Sequence, residues 1–151
     1  MKAVIMAALL ATGSAAMAEV RTALSVQSAG GKVAATVLVE NRGKIAVQIP
    51  KVVAEDDELF GPYFEVREKQ SGKVLDYVGP KVKRGPLGPD DYLSIKPGKR
   101  LRHAIDITQA YAFLPGQHDY EIRYAGSYIA GLNSAPVAPL SFAPATFSYK
   151  P

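Results

Sequence analysis

The sequence predicts an all-β protein, a single immunoglobulin-like antiparallel β-sandwich of about seven to nine strands. Three observations predict this fold. Apolar and polar residues alternate with period two through most of the chain, and turn-forming Gly, Pro and Asn residues separate the alternating runs at short intervals. No run after the N-terminal segment has the length and periodicity of an ordinary helix. A partly open barrel is the alternative architecture, because it requires the same succession of short strands.

The first eighteen residues have the pattern of a secretory signal peptide. Lys2 precedes an apolar run over 3–11, and Ala16-Met17-Ala18 places small residues where a signal peptidase cleaves. The run is shorter than the roughly 20 apolar residues that a transmembrane helix needs. We therefore expect residues 1–18 to be removed, leaving 133 of the 151 residues in the periplasm or the medium. The chain has no cysteine, so the fold must rely on core burial and strand pairing.

The first half of the remaining chain predicts a hairpin and a third strand. Leu24 and Val26 alternate with polar residues, a turn follows at 29–31, and a β-branched strand runs over 33–39. A strand over 45–49 ends at Pro50, which lacks a backbone donor. The four acids at 55–58 predict a solvated loop, because they lack the ligand spacing and the turn glycine of a calcium loop.

The second half predicts further strands separated by turns. Runs over 64–66 and 74–78 flank a turn at 70–73 and predict a second hairpin. A short strand over 92–95 ends at Pro97-Gly98, and the next strand places Leu101, His103, Ile105 and Ile107 on one face. A single helical turn is expected within 108–113, followed by a strand over 120–124.

These predictions divide the chain into three segments. Residues 1–18 form the signal peptide, residues 19–126 the β-sandwich domain, and residues 127–151 a Pro- and Ala-rich C-terminal segment in which 146–149 could add a last strand. Tyr120 follows a corner and precedes a late strand, which is the position of a tyrosine corner; plain core packing is the other interpretation. Pro97 and Gly98 are predicted to have a structural role as a turn.

No catalytic pattern is present in the sequence, which predicts a protein that is not an enzyme and needs no cofactor or metal. The two histidines, His103 and His118, lack the spacing of a zinc site, and neither a nucleophile motif nor a phosphate-binding loop occurs. Asp90 and Asp91 are adjacent, so on a strand they would point to opposite faces. His103 is expected to be half-buried and hydrogen-bonded, whereas His118 is expected to be solvated.

The most distinctive binding candidate is a loop at 79–89 that is rich in Gly and Pro. Prolines restrict the loop before binding, so docking a partner orders it at a smaller entropic cost. The predicted contact residues are Lys81, Lys83, Arg84, Pro86 and Leu87. A rigid crossover whose cations only maintain solubility is the other interpretation. Nucleic acid is not expected as the partner, because the net charge of +4 is small and dispersed and the loop lacks stacking aromatics.

A series of short motifs over residues 33–125 resembles a known family. The matching residues are Tyr77-x-Gly79, Lys83-Arg84, Pro86, Asp90-Asp91-Tyr92, Leu93, Pro97-Gly98, Asp106-Ile107-Thr108, Ala110-Tyr111, Gly116 and Tyr120-x-Ile122-x-Tyr124. In order and spacing they resemble the non-catalytic N-terminal β-domain of deuterolysin-like peptidyl-Lys metalloendopeptidases. The HExxH helix of that family is absent from this sequence, so none of its catalytic or zinc residues has a counterpart here.

The resemblance implies a stand-alone copy of a domain that accompanies a peptidase. The layout is also similar to small immunoglobulin-like proteinase inhibitors of bacteria, which use loops at one end of a sandwich. Both similarities imply an exported protein-binding domain that interacts with or inhibits a proteinase, such as a secreted metallopeptidase. The alternative is a structural or adhesive envelope module that binds a polymer or another envelope protein through a sheet edge.

Overall fold

A computed structural model describes residues 19–82, 88–125 and 141–151, in which eight strands form three antiparallel sheets. The strands are β1 (Val20–Ala29), β2 (Lys32–Asn41), β3 (Val47–Pro50), β4 (Phe64–Glu68), β5 (Tyr92–Ile95), β6 (Arg100–Asp106), β7 (His118–Tyr124) and β8 (Ala145–Tyr149). One helical turn, α1, spans Lys51–Ala54, and a 3₁₀ turn spans Pro89–Asp91. The prediction of an all-β sandwich is confirmed.

The strand order is that of an immunoglobulin-like sandwich with one departure. One sheet has the order β1-β2-β6 and another has the order β4-β7-β8. These correspond to strands A, B and E and to strands C, F and G of the immunoglobulin fold. The departure is β5, which occupies the sequence position of strand D but pairs with β3 in a separate two-stranded ribbon.

The core lies between the two three-stranded sheets. The period-two alternation of β2 directs Val33, Ala35, Val37 and Val39 inward, and each of these side chains is almost fully buried. From the other sheet the inward residues include Phe64, Val66, Tyr120, Ile122, Phe147 and Tyr149. The first predicted hairpin is confirmed, and Gly30 and Gly31 form its turn with positive φ angles of 61° and 76°.

The second predicted hairpin is wrong, because residues 74–78 do not form a strand. After the turn at 69–71, Leu75 donates from its backbone N–H to Val66 O, but the only ladder contact with β4 is the single bridge Arg67–Val74. Tyr77 then forms a bridge to Tyr111. The segment therefore passes from the edge of β4 to the corner that follows β6. It lies beside each of them for only one residue pair, so no ladder forms with either.

The corner after β6 is a turn held by the Asp106 side chain. Asp106 Oδ1 accepts from the backbone N–H of Thr108 at 2.9 Å and from its hydroxyl at 2.6 Å. These hydrogen bonds lower the pKa of Asp106, and the bond from the Thr108 hydroxyl has the largest effect. The expected helical turn is therefore wrong in type: residues 108–110 form a non-helical turn, closed by the Ala110 N–H bond to Ile107 O and preceded by Asp106.

The C-terminal strand belongs to the same folded unit as the other strands. β8 pairs with β7 from His118–Tyr149 to Ile122–Ala145. The Tyr149 hydroxyl donates to Gly31 O at 3.1 Å, so β8 also connects the two sheets, and the Thr22 hydroxyl donates to Ser141 O in the segment before β8. The change of composition after residue 126 is therefore not the end of the sandwich.

Candidate functional site

The predicted binding loop begins at an anchored turn. The Tyr77 hydroxyl donates to Pro80 O at 2.5 Å and lies 3.3 Å from Leu59 O, and its ring packs edge-on against Tyr111 with centroids 5.5 Å apart. Burial raises the pKa of Tyr77. The base of the loop is therefore fixed to the sandwich by a half-buried aromatic side chain.

Gly79 completes this turn because a side chain would not fit there. A Cβ atom at residue 79 would lie 2.8 Å from the hydroxyl oxygen of Tyr77 and 2.9 Å from its Cζ. The backbone N–H groups of Val78 and Gly79 both donate to Ala110 O, at 2.7 and 3.2 Å. The Tyr-x-Gly sequence thus packs the glycine backbone against the tyrosine ring and the corner after β6.

Among the described residues, three of the four exposed large apolar side chains lie at or close to this turn in sequence, and the fourth, Phe60, comes from an earlier loop. The four are Phe60, Val74, Val78 and Val82. The backbone N–H of Val82 donates to Phe60 O at 3.2 Å, which brings these two residues side by side. Phe60 is 38% exposed and Val82 54% exposed, and Lys81 is exposed beside them. We refer to Phe60, Val78, Lys81 and Val82 as the apolar patch.

The structure describes only part of the predicted site. Lys81 lies in the apolar patch. The other predicted contact residues, Lys83, Arg84, Pro86 and Leu87, lie outside the described residues. Phe60 and Val78 were not predicted as site residues. Phe60 precedes Gly61-Pro62, but this sequence gives no sign that residues 60 and 82 are neighbours.

Tyr120 lies near the start of β7, just after the corner that connects β6 to β7. Its side chain is fully buried, and its hydroxyl accepts from the backbone N–H of Leu114, six residues upstream, at 3.1 Å. The Tyr120 ring stacks on Phe147 and packs edge-on against Phe113. This hydrogen bond to the upstream backbone has the geometry of a tyrosine corner.

Pro97 and Gly98 form the turn that connects β5 to β6. Lys99 donates from its backbone N–H to Lys96 O at 3.0 Å, and Gly98 has a φ angle of 79°. Proline at the second position and a positive φ at the third are the features of a type II turn. Gly98 also donates to Asn41 O at 2.8 Å, so the turn is docked on the end of β2.

Asn41 fixes the end of the sandwich on which this turn lies. Its buried side-chain amide donates to Ile45 O and Ile95 O, each at 2.8 Å, and its Oδ1 accepts from Gly43 N at 3.0 Å. One polar side chain therefore holds the loop after β2 and the end of β5 together. The sequence suggested only a turn at Asn41, because its neighbours are Arg42 and Gly43.

This end of the sandwich gathers cationic side chains that are distant in sequence. Seven exposed cations belong to it: Arg21, Arg42, Lys44, Lys96, Lys99, Arg100 and Arg102. Its acids are Glu19 and Glu40, and Glu40 lies 3.9 Å from Arg21 and 3.3 Å from Arg42. The sequence-based view that the positive charge is dispersed is therefore wrong for the folded chain, because strand pairing concentrates it.

Three of these cations lie on the outer face of the β1-β2-β6 sheet, which we call the arginine face. Its cross-strand rows are Arg21–Glu40–Arg100, Ala23–Leu38–Arg102, Ser25–Thr36–Ala104 and Gln27–Ala34–Asp106. A shallow cavity of about 360 Å³ lies on this face, between small side chains and the two arginines of β6. Within the described residues, no ion pair or hydrogen bond engages the guanidinium of Arg100 or Arg102.

The two histidines have structural contacts. Nε2 of His103 lies 2.7 Å from Asp56 O, and Asp106 donates from its N–H to Asp57 O, so the backbone of the acidic run covers part of the edge of β6. The expectation that His103 is half-buried and hydrogen-bonded is confirmed. His118 begins β7 and its side chain stays partly exposed, with Nε2 2.9 Å from Pro115 O and Nδ1 3.8 Å from Glu68.

Glu68 is a buried carboxylate at the end of β4. It accepts from the Ser71 hydroxyl at 2.6 Å and from the backbone N–H groups of Gln70 and Ser71 at 3.0 and 2.8 Å. These hydrogen bonds lower the pKa of Glu68 to about 2, and the bond from the Ser71 hydroxyl has the largest effect. Because Ser71 donates to the carboxylate and not to His118, this serine, histidine and glutamate do not have the geometry of a hydrolytic triad.

Three further observations bear on function. In the part of the chain that the structure describes, no three His, Cys, Asp or Glu side chains are grouped as metal ligands. Residues 19–82, 88–125 and 141–151 also contain no helix long and apolar enough to cross a membrane. The chain matches no protein-family model and has no significant match among curated proteins.

Proposed function

We propose that this protein is an exported, non-enzymatic binding protein that contacts a proteinase through the apolar patch and the loop that continues from it. The observation that carries the proposal is the position of the exposed large apolar side chains, which are concentrated at 60 and 74–82 in the described residues. Exposed apolar side chains next to a cation are typical of a surface that is buried in a complex.

The rigid base of the loop supports this function. Tyr77 is held at Leu59 and Pro80, and Gly79 is packed against its ring. A contact segment that is already fixed loses less conformational entropy when a partner binds. Proteinase inhibitors commonly present such pre-organised loops, and their backbones move little on binding.

The class of partner rests on the resemblance to the N-terminal β-domain of deuterolysin-like metalloendopeptidases. The motifs Tyr77-x-Gly79 and Ala110-Tyr111 of that resemblance supply the contacts that hold the loop base. A secreted metallopeptidase is therefore the proposed partner. Export is proposed on the signal-peptide pattern of residues 1–18.

A pull-down from periplasm or spent medium tests the proposal. The bait is the mature chain, and the matched control bait carries Phe60→Ser and Val82→Ser. Mass spectrometry should detect a secreted metallopeptidase with the first bait and a much smaller amount with the second. Recovery of envelope proteins or polymer in equal amounts with both baits would instead favour a structural or adhesive module.

A further inference from the structure

We propose that the arginine face is a second binding site, which takes a linear anionic polysaccharide carrying carboxylate or sulfate groups. The site lies on the β1-β2-β6 sheet and its cationic end, apart from the apolar patch. This proposal is independent of the proteinase proposed above, because the second ligand would bind to different residues.

Charge is the first argument for an anionic ligand. The seven cations of this end have only Glu19 and Glu40 among them, and Glu40 already faces Arg21 and Arg42. Arg100 and Arg102 have no acidic partner among the described residues. A cluster of one sign raises the local concentration of oppositely charged ligands, and guanidinium groups bind carboxylate and sulfate oxygens in pairs.

Spacing is the second argument, and it favours an extended ligand. Arg100 and Arg102 lie on the same side of β6, which places their Cα atoms about 7 Å apart along the strand. Arg21 lies across two strand spacings from Arg100, a separation of about 10 Å. These cations therefore suit several anionic groups that repeat along a chain better than they suit one small anion.

The surface between the cations favours a polysaccharide over other polyanions. Its side chains are Ala23, Ser25, Thr36 and Leu38, which leave a shallow trough and offer the exposed hydroxyl group of Ser25. The four cross-strand rows contain no aromatic residue, whereas single-stranded nucleic acid is usually held by aromatic stacking. Leu38 is their one large apolar side chain, and they contain none of the Trp or Tyr anchors that are enriched at the centres of protein interfaces.

Buried Asn41 gives this surface a fixed shape. Its hydrogen bonds to Ile45 O, Ile95 O and Gly43 N hold the loop that carries Arg42 and Lys44 and the end of the strand that precedes Lys96. The Gly98 N–H bond to Asn41 O docks the turn beside them. The cations are therefore presented on ordered backbone.

Affinity measurements on the mature protein test the proposal. The probes are a fluorescent heparin octasaccharide, neutral dextran of similar length, and an oligodeoxythymidylate and a poly-glutamate with the same number of charges. Wild type should bind the heparin octasaccharide more tightly than the other three. Absence of heparin binding, or tighter binding of the nucleic acid or the peptide, would overturn the proposed ligand class.

Two variants with the same loss of charge locate the site. Arg100→Gln with Arg102→Gln should weaken heparin binding by about tenfold or more and should lower the slope of log Kd against log salt concentration by about two. The matched control, Lys69→Gln with Lys73→Gln at the turn after β4, should bind within about twofold of wild type. Equal losses in the two variants, or no loss in the first, would overturn the location.

A third variant tests the trough without changing charge. Ser25→Ile adds bulk at an exposed β1 position and should weaken heparin binding by about threefold or more, because the polysaccharide can no longer approach the sheet closely. Thermal melting within a few degrees of wild type verifies that each variant is folded. A folded Ser25→Ile variant with unchanged affinity would show that the trough does not take part and would overturn the proposed site.

Discussion

The hydroxyl group of Tyr111 bonds to both backbone polar groups of Phe64: it donates to Phe64 O at 2.5 Å and lies 3.2 Å from the N–H that donates to it. Tyr111 follows β6, and Phe64 begins β4, so this side chain connects the two sheets. The hydroxyl is buried, and desolvation raises the pKa of Tyr111.

Tyr111→Phe should therefore destabilise the protein by about 1–3 kcal/mol, because a buried N–H and a buried C=O lose their partner. Urea unfolding measures this change. Tyr63→Phe is the matched control, since no side-chain hydrogen bond of Tyr63 is present in the described residues, and it should cost less than about 0.5 kcal/mol. Equal costs in the two variants would contradict a structural role for the Tyr111 hydroxyl.

Gly79→Ala should disturb the loop base through Tyr77. The added Cβ would overlap the Tyr77 ring, so the ring must move away from Leu59 and Pro80, at a cost of about 1–3 kcal/mol. In a Tyr77→Ala background the same substitution should cost less than about 0.5 kcal/mol, because the overlap is gone. A double-mutant cycle by chemical denaturation measures the difference, and additive costs would show that the two residues do not interact.

Asn41→Ala should be among the more destabilising single substitutions outside the apolar core. It removes a donor from Ile45 O and Ile95 O and an acceptor from Gly43 N, so we expect a loss of about 2–4 kcal/mol. Gln48→Ala, which removes an exposed hydrogen bond to Ser94, should cost less than about 1 kcal/mol. A loss for Asn41→Ala no greater than that of the control would argue against its role at the cationic end.

The lowered pKa of Glu68 predicts that part of the free energy of unfolding is lost at acidic pH. Its pKa of about 2 in the folded protein lies below the ordinary value of 4.5 that it recovers on unfolding. The stabilisation is therefore fully present above pH 4.5 and is lost as the pH falls from 4.5 towards 2.

Urea unfolding at several pH values tests this prediction. Glu68→Gln should be less stable than wild type at neutral pH, and the difference should shrink as the pH falls below 4.5. Ser71→Ala removes the largest cause of the shift and should raise the pKa of Glu68, so the acid-dependent loss of stability should be smaller and should be complete at a higher pH. A stability difference between wild type and Glu68→Gln that stays constant down to pH 2.5 would contradict the account.

The sequence alone correctly predicts the strands and turns that depend only on a local residue pattern. The β1–β2 hairpin follows from alternation on both sides of Gly30-Gly31, and β5 ends where Pro97-Gly98 predicts it. The segment 74–78 has β-forming residues but makes only single bridges to Arg67 and Tyr111. Strand propensity at these residues was overridden because no neighbouring strand lies alongside them over their whole length.

The two candidate surfaces depend on contacts between distant parts of the chain. Phe60 and Val82 become neighbours through one backbone hydrogen bond. The arginine face requires the register that sets Arg21 and Arg100 on either side of Glu40. Period-two alternation shows which residues share a face of one strand, but it does not show which strands pair. The sequence therefore predicted Lys81 as a contact residue and did not predict the charge cluster.

Calorimetric titration of a deuterolysin-like peptidyl-Lys metalloendopeptidase with the mature protein tests the central proposal most directly. We expect a complex of one molecule of each protein, and Phe60→Ser with Val82→Ser should weaken it by about tenfold or more, because these exposed side chains would be buried on binding. Arg100→Gln with Arg102→Gln is the control and should bind the peptidase as wild type does. No complex with wild type, or equal affinity in the Phe60→Ser, Val82→Ser variant, would contradict the proposed function.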